Sequence, residues 1–211
     1  MTLLMTDTLP IVFVVDDDPS IRRALERLVR SAGLRAETFT SAREFLDSRP
    51  SRTDAPSCLV LDINLPGLSG LDLQDELSRA NVRLPIVFIT GHGDIPMSVR
   101  AMKAGAVDFL PKPFDDADLL RAIENAHDRD AAERQRRAES GSIDEKLARL
   151  TPREREVFEQ VVQGKLNKQV ASALGVAEKT VKVHRARVME KMEARSLADL
   201  VRMAERREAD R

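Results

Sequence analysis

The sequence contains a single cysteine, Cys58, and no apolar run approaches the ~20 residues needed to span a bilayer. One cysteine excludes an intrachain disulfide. Because Cys58 lies inside an apolar stretch, we expect a buried structural thiol rather than a nucleophile. The first ten residues are acidic at Asp7 and lack the basic start of a secretion signal. These absences predict a cytoplasmic protein without a membrane segment.

Charge is distributed unevenly along the chain. The net charge of the 211 residues is −1, but residues 1–130 carry about −6 and residues 131–211 about +5. The length is sufficient for two small domains. An acidic half followed by a basic half therefore predicts two domains with different partners.

The first 128 residues alternate short apolar runs with helical patterns. Each run is followed by apolar residues at three- and four-residue spacing, which is typical of a helix packed on one face. This alternation predicts an α/β fold, a doubly wound five-stranded parallel sheet with helices on both faces. The expected strands are residues 11–15, 35–39, 58–61, 86–90 and 108–110.

Polar side chains follow the predicted strands where each strand ends. Asp16 and Asp17 follow the first strand, Asp62 the third, Thr90 ends the fourth, and Lys112 follows the fifth. Parallel strands share a direction, so these ends lie on one edge of the sheet, where such folds bind ligands. The sequence therefore predicts a site at this edge.

The chemistry of that set favours phosphoryl transfer. Three crowded carboxylates repel one another and raise each other's pKa, and a hard cation such as Mg²⁺ (or Mn²⁺) relieves the repulsion. A hydrated Mg²⁺ beside a carboxylate suits phosphorylation of that carboxylate. Lysine supplies a compact positive charge for phosphate, and a threonine hydroxyl donates a hydrogen bond to it.

With these residues the chain resembles the receiver domain of two-component response regulators over about residues 10–128. The resemblance is carried together by residues 14–17, 61–67, 89–92 and 112–114. It implies that Asp62 accepts a phosphoryl group from a sensor histidine kinase. It also implies that Mg²⁺ is bound by Asp16, Asp17, Asp62 and the backbone carbonyl of Asn64.

The same resemblance assigns the switch residues. Thr90 and Phe109 form the switch pair, Lys112 binds the phosphoryl group, and the Lys112–Pro113 bond is typically cis in this family. It further implies a homodimer, formed on phosphorylation through the fourth helix and fifth strand.

An enzyme of the haloacid-dehalogenase kind also phosphorylates an aspartate at a strand end. That class needs a second acid two residues later to protonate the leaving group, and here that position is Asn64. We therefore expect no enzyme, beyond self-phosphotransfer and autodephosphorylation. A DNA-binding protein with a vestigial receiver, independent of any kinase, stays as the alternative.

The middle of the chain predicts a linker. Residues 129–147 are mostly charged residues and alanine, a composition that favours a helix without an apolar face. Residues 140–142, Ser-Gly-Ser, are expected to interrupt that helix. The second domain is predicted to span residues 148–211.

The second half predicts an all-α domain of four helices with a helix-turn-helix. Thr151 and Glu154 form a capping box with proline at the first helical position. Two short helices joined by a glycine-bearing turn at residues 175–177 follow. Residues 161–191 hold seven Lys or Arg against two Glu, the charge expected of a phosphate-binding surface.

Residues 150–157, 167–168 and 180–184 resemble the LuxR-type output domain, over about residues 149–208. The resemblance implies that the third helix enters the major groove of double-stranded DNA, where Lys182 and Val183 read bases. Phosphate contacts are expected from a further group, Lys168, Lys179, Thr180 and Arg185. In two places the family's usual serine cap is replaced, by Leu166 and Ala177.

The two resemblances together predict a response regulator of the FixJ/NarL type, in which phosphorylation of Asp62 promotes dimerisation and DNA binding. The expected partners are a sensor histidine kinase, double-stranded DNA and a second copy of the chain, and no membrane is expected.

Overall fold

The structure is a computed structural model, and it describes residues 9–48, 55–91 and 95–209. Asp7 and His92, the last residue of the segment 89–92, lie outside these ranges. The chain divides into two compact units, one ending at Glu133 and the other beginning at Arg134. Among the described residues, no helix is long and apolar enough to cross a membrane.

A parallel sheet forms the first unit. Its strands pair in the order β2-β1-β3-β4-β5, and every pair is parallel, which confirms the predicted five-stranded sheet. The elements are β1 (Ile11–Val15), α1 (Pro19–Ser31), β2 (Arg35–Phe39), α2 (Ala42–Ser48), β3 (Ser57–Asp62), α3 (Gly70–Arg79), β4 (Ile86–Thr90), α4 (Ile95–Lys103), β5 (Asp108–Pro111) and α5 (Asp116–Ala148).

Helices cover both faces of the sheet. Successive strand residues point to opposite faces, so Phe13 and Leu59 pack with α2, α3 and α4, while Val12 and Val60 pack with α1 and α5. Cys58 is fully buried in the second of these cores, and burial raises the pKa of its thiol. The prediction of a buried structural thiol is therefore confirmed.

Helix α1 begins where the sequence predicts. Asp18 Oδ1 accepts hydrogen bonds from the backbone N–H groups of Ser20 at 2.6 Å and Ile21 at 3.4 Å, and Pro19 is the first helical residue. This cap uses the third acid of the 16–18 run. Asp16 and Asp17 remain for the edge of the sheet.

Helix α5 runs unbroken to Ala148, so the predicted interruption at residues 140–142 is wrong. A glycine inside a helix costs only about 1 kcal/mol relative to alanine. Ile143 and Leu147, on either side of the next turn, are buried in the core of the second unit. Burying each such side chain contributes roughly 2 kcal/mol, which offsets the cost of Gly141. Residues 134–147, predicted to be a linker, group with the second unit.

The second unit adds four helices, as predicted: α6 (Pro152–Val162), α7 (Asn167–Leu174), α8 (Glu178–Lys191) and α9 (Leu197–Ala209). Thr151 and Glu154 form the predicted capping box of α6. Gly175, with φ of 65°, ends α7 in the left-handed conformation that glycine adopts without strain. The short turn that follows leads into α8 and completes a helix-turn-helix.

Candidate functional site

The carboxyl ends of β1, β3, β4 and β5 bring the predicted polar residues to one edge of the sheet. Asp62 is the last residue of β3 and Thr90 the last of β4. Asp16 follows β1 directly, and Lys112 follows β5. The side chains of Asp16 and Thr90 are fully buried, and Asp62 is 6% exposed.

Lys112 joins two of the acids. Its Nζ lies 2.6 Å from Asp16 Oδ2 and 2.7 Å from Asp62 Oδ2. The second oxygens of the same carboxylates accept backbone N–H groups, Asp16 from Asp18 at 2.9 Å and Asp62 from Asn64 at 3.0 Å. Both carboxylates are therefore fixed in orientation before any ligand arrives.

The charges at this edge do not balance. Burial raises the pKa of Asp16, and the hydrogen bond from Lys112 lowers it only in part. Burial also lowers the pKa of Lys112, but its bonds to Asp16 and Asp62 outweigh burial and leave that pKa above its usual value. One ammonium thus faces three carboxyl groups, since exposed Asp17 lies at the same place.

This group of acids fits a divalent cation. One oxygen from each of Asp16, Asp17 and Asp62 lies within 4.8 Å of the others. Carboxylates at the mouth of a site, with Asp17 open to water, match the preference of Mg²⁺ for a few carboxylates and several waters. The three carboxyl groups also outnumber the single positive charge of Lys112, and this excess of negative charge favours a bound cation as well.

Around Thr90 the structure adds a contact that sequence reasoning missed. Asn64 Nδ2 donates a hydrogen bond to Thr90 Oγ1 over 3.1 Å. Phe109 is half-buried and packs against the core shared by α2, α3 and α4. Asn64, predicted only for its backbone carbonyl, thus also touches the threonine through its side chain.

Arg22 was also missed. Its Nη1 donates to the carbonyl oxygen of Asp16 at 2.6 Å and so holds the loop between β1 and α1 from the helix side. The only signal in the sequence is its position one turn into the helix that follows the acids. A solvated helix face gives the same signal.

Two backbone features shape the edge. The Lys112–Pro113 bond is cis, as the family resemblance implied, and the Lys112 N–H donates to the Thr90 carbonyl at 2.7 Å. Gly70, the first residue of α3, packs directly against the backbone of Asp62 and Ile63, and a Cβ there would overlap the Asp62 carbonyl oxygen. Glycine is therefore needed for α3 to approach Asp62 so closely.

In the second unit, α8 has one packed face and one open face. Val181, Val188 and the capping residue Met192 are buried and form the packed face, with half-buried His184 between them. Of the predicted DNA contacts, Lys182 and Val183 are exposed, with Val183 at 46%. The exposed set also includes Lys168, Lys179 and Thr180.

Two cations of this region are already bound within the unit. Arg185 is half-buried, and its Nη1 donates to Asn167 Oδ1 at 3.0 Å. Lys191 Nζ lies 2.6 Å from the buried carboxylate of Glu154. The seven cations counted in the sequence are therefore not all free to contact DNA phosphates.

Both predicted cap positions lack a side-chain acceptor. Leu166 and Ala177 occupy the N-cap sites of α7 and α8 in extended conformation, and neither side chain accepts a hydrogen bond. At α7 the Leu166 N–H donates to Gln169 Oε1 at 2.8 Å, which supplies half of a capping box. Helix α8 begins at Glu178, directly after the turn predicted at residues 175–177.

Comparison with known proteins gives the same two-part division. The response regulator receiver domain matches residues 12–124, and the luxR family of bacterial regulatory proteins matches residues 148–204. Nodulation protein W of Bradyrhizobium diazoefficiens is 57% identical over 94% of this chain and 86% of its own length. Transcriptional regulatory protein FixJ of Azorhizobium caulinodans is 43% identical over 95% and 93%, respectively.

A solved full-length structure is also similar. The response regulator StyR superposes with a TM-score of 0.81 and 50% identity, covering 93% of this chain and 98% of that one. A receiver sheet with its acidic edge, followed by a helix-turn-helix unit, defines a two-component regulator that binds DNA.

The chain belongs to the response regulator family, in its FixJ/NarL type with a CheY-like receiver and a LuxR-type output domain. It is a transcriptional regulator, and its receiver implies a histidine kinase as partner. Members of this family are not typically catalytic enzymes.

Proposed function

We propose that this protein is a phosphorylation-switched transcription factor of the cytoplasm, in which Asp62 receives a phosphoryl group from a sensor histidine kinase. The observation that supports this most directly is the pair of contacts from Lys112 to Asp62 and Asp16 at the open edge of the sheet. Only a small part of Asp62 is exposed, so the approach to it is through this edge.

The transfer itself needs little from the protein beyond position and charge. An oxygen of Asp62 attacks the phosphorus of the donor phosphohistidine, the P–O bond forms as the P–N bond breaks, and the bonding electrons leave with the imidazole. Lys112, already 2.7 Å from Asp62, pairs with the transferred phosphoryl oxygens. Water later hydrolyses the acyl phosphate in the autodephosphorylation expected of such a site.

Mg²⁺ belongs at the three acids. Asp16, Asp17, Asp62 and the Asn64 carbonyl would bind it, and it supplies charge neutralisation for the incoming phosphoryl group. In the chain itself, backbone N–H groups hold Asp16 and Asp62 in place. Arg22 supports the same loop through the Asp16 carbonyl.

The switch is proposed to run through Thr90. Its hydroxyl accepts a hydrogen bond from Asn64 in the structure and would turn to donate to a phosphoryl oxygen once one is present. Movement of Thr90 makes room for the half-buried ring of Phe109 to turn inward. This change alters the surface formed by α4 and β5.

The α4 surface fits a dimer contact. Ile95, Val99 and Met102 are 80%, 45% and 46% exposed, and they recur at four- and three-residue steps along one side of the helix. Exposed apolar residues in such a row favour pairing with a like surface. A dimer would place two α8 helices on DNA half-sites about one turn apart.

On DNA, α8 is proposed to lie in the major groove with Lys182 and Val183 toward the bases. Lys182 contacts Glu178 at 3.5 Å, a largely exposed pair that a phosphate or base can displace. Lys168, Lys179 and Thr180 are exposed, and we propose that they contact the DNA phosphates. To contact DNA, Arg185 would have to break its hydrogen bond to Asn167; otherwise it would contribute only by positioning Asn167.

The test is to measure dimerisation and DNA binding with and without beryllofluoride and Mg²⁺, in the wild type and in Asp62→Asn. We expect the wild type to dimerise and bind DNA more tightly only when activated. Asp62→Asn should stay monomeric and bind DNA weakly in every condition. Equal binding in both proteins under every condition would instead support the alternative, a DNA-binding protein with a vestigial receiver.

Two further variants separate the steps. Val99→Glu should abolish activated dimers while preserving beryllofluoride binding. Lys182→Ala should preserve dimers and lose salt-sensitive DNA binding. Arg43→Ala is the charge-matched control for Lys182→Ala, because it removes an exposed cation from the receiver. It should change neither dimerisation nor DNA binding.

A further inference from the structure

The side of α5 that faces the sheet changes character near its middle. Leu119, Ile123 and Ala126 are buried in the core formed with α1. The next residues at three- and four-residue spacing are Asp130 and Glu133, both acids. Burying polar side chains is unfavourable unless they are hydrogen-bonded, so these acids need polar partners on the sheet.

Those partners are the starting ends of the strands. His127 Nε2 lies 3.1 Å from the carbonyl oxygen of Ile11, the first residue of β1. Asp130 Oδ2 accepts the backbone N–H of Ser57, the first residue of β3, at 2.8 Å and its hydroxyl at 3.5 Å. Both contacts lie at the edge of the sheet opposite to Asp62.

A third contact extends the row. Glu133 Oε1 pairs with Arg83 Nη1 at 2.5 Å, and Arg83 stands three residues before β4. The strands β1, β3 and β4 are neighbours in the sheet. His127, Asp130 and Glu133 are three residues apart, so one row of the helix meets three neighbouring strands in order.

The first two contacts are buried. His127 is 8% exposed and Asp130 4%. Burial lowers the pKa of His127, and because a carbonyl oxygen only accepts, the neutral ring carries its hydrogen on Nε2. Loss of a buried partner leaves the other polar group unsatisfied, so these bonds define the position of the helix strongly.

Beyond Glu133 the side chains of α5 are exposed or half-buried for two turns. Among the described residues 134–142 no side chain is buried, and burial resumes at Ile143 in the core of the second unit. This stretch includes Arg134, Arg136 and Arg137. His127 and Asp130 are therefore the last side chains of α5 that are buried before Ile143.

We propose that His127, Asp130 and Glu133 form a polar clasp that fastens the interdomain helix to the starting edge of the receiver sheet and keeps residues 127–138 helical. Opening of the clasp lets this segment unfold locally, although both units stay folded. The receiver then no longer constrains the position of the helix that leads to the output unit.

Limited trypsin digestion of the full-length protein tests the clasp directly, since trypsin cleaves after Arg134, Arg136 and Arg137 only when the helix opens locally. Asp130→Ala removes the acceptor of the Ser57 N–H and should speed cleavage there about tenfold. Asp130→Asn retains an acceptor oxygen and should be cleaved at nearly the wild-type rate.

Asp128→Ala is the matched control, because it removes the same charge from an exposed position of the same helix. Equal acceleration in Asp128→Ala, or none in Asp130→Ala, would overturn the proposal. If Asp130→Ala does not fold, Glu133→Ala at the half-buried rim takes its place, with an expected acceleration of about threefold; an unchanged rate there would be equally decisive.

A second measurement asks whether the clasp transmits the signal, and this step rests on the proposed function. Asp130→Ala should bind beryllofluoride and dimerise like the wild type but lose most of the gain in DNA affinity on activation. If the wild type itself shows no gain, the proposed function fails while the trypsin result still decides the clasp. A full gain in Asp130→Ala would show that the clasp does not carry the signal.

Discussion

The buried ion pair between Glu154 and Lys191 makes a quantitative prediction about the output unit. The carboxylate of Glu154 is almost fully buried, 2.6 Å from Lys191 Nζ, and accepts the N–H of Thr151 at 2.9 Å. These contacts, above all the bond from Lys191, lower the pKa of Glu154 from 4.5 to about 2.

The free energy follows from the shift. At about 1.4 kcal/mol per pKa unit, the shift corresponds to an upper limit of roughly 3 kcal/mol. Lys191 is one-third exposed, so solvent screening reduces this to about 2 kcal/mol. For a unit of this size, that lowers the melting temperature by about 10 °C. Glu154→Gln should show this loss at pH 7.

The pH dependence gives the sharper test. Because the folded-state pKa is depressed, the stabilisation is complete above the unfolded-state pKa near 4.5 and is lost as the pH falls toward 2. The difference in free energy of unfolding between wild type and Glu154→Gln should therefore fall to less than about half of its pH 7 value at pH 3.

Thermal unfolding of the full-length chain, followed by circular dichroism at a series of pH values, measures the gap. Glu156→Gln is the control, because Glu156 lies on the same helix in an exposed pair with Arg153 and should change stability by less than about 0.5 kcal/mol. A pH-independent gap, or equal losses in both variants, would refute the assignment of this stability to the buried carboxylate.

Local backbone geometry predicts the effects of three single substitutions on stability. Gly70→Ala should cost about 1–3 kcal/mol in denaturant unfolding and weaken Mg²⁺ binding in a titration, since its Cβ would lie 3.0 Å from Ile63 Cα and closer still to the Asp62 carbonyl. Gly141→Ala has free space around it inside α5 and should raise stability by about 0.5–1 kcal/mol. Ala177→Ser should supply the missing cap of α8 and add about 0.5–2 kcal/mol, measured by the same unfolding assay.

The sheet and the acidic edge were predictable because both rest on local patterns. Five apolar runs that alternate with helical spacing require parallel strands, and parallel strands bring their carboxyl ends together without any knowledge of strand order. Asp16, Asp62 and Lys112 therefore meet as the sequence predicts.

The continuity of α5 and the partner of Arg22 were not predictable in this way. Residues 140–142 break a helix by propensity alone, and the burial of Ile143 and Leu147 in the core of the second unit reverses that preference. Arg22 has the spacing of an ordinary exposed residue, and its carbonyl partner depends on the loop conformation. Tertiary contacts decided both cases.

Two lysines that bind buried carboxylates show why charge balance separates a site from a structural pair. In the second unit, Lys191 faces one acid, Glu154, whose pKa is lowered to about 2, so the pair is satisfied as it stands. At the sheet edge, Lys112 faces Asp16 and Asp62, and burial leaves the pKa of Asp16 raised despite the lysine. An acid that its own lysine does not satisfy still favours an added cation, which is the electrostatic reason to propose Mg²⁺ and phosphoryl chemistry at the receiver edge and a stabilising role for the output pair.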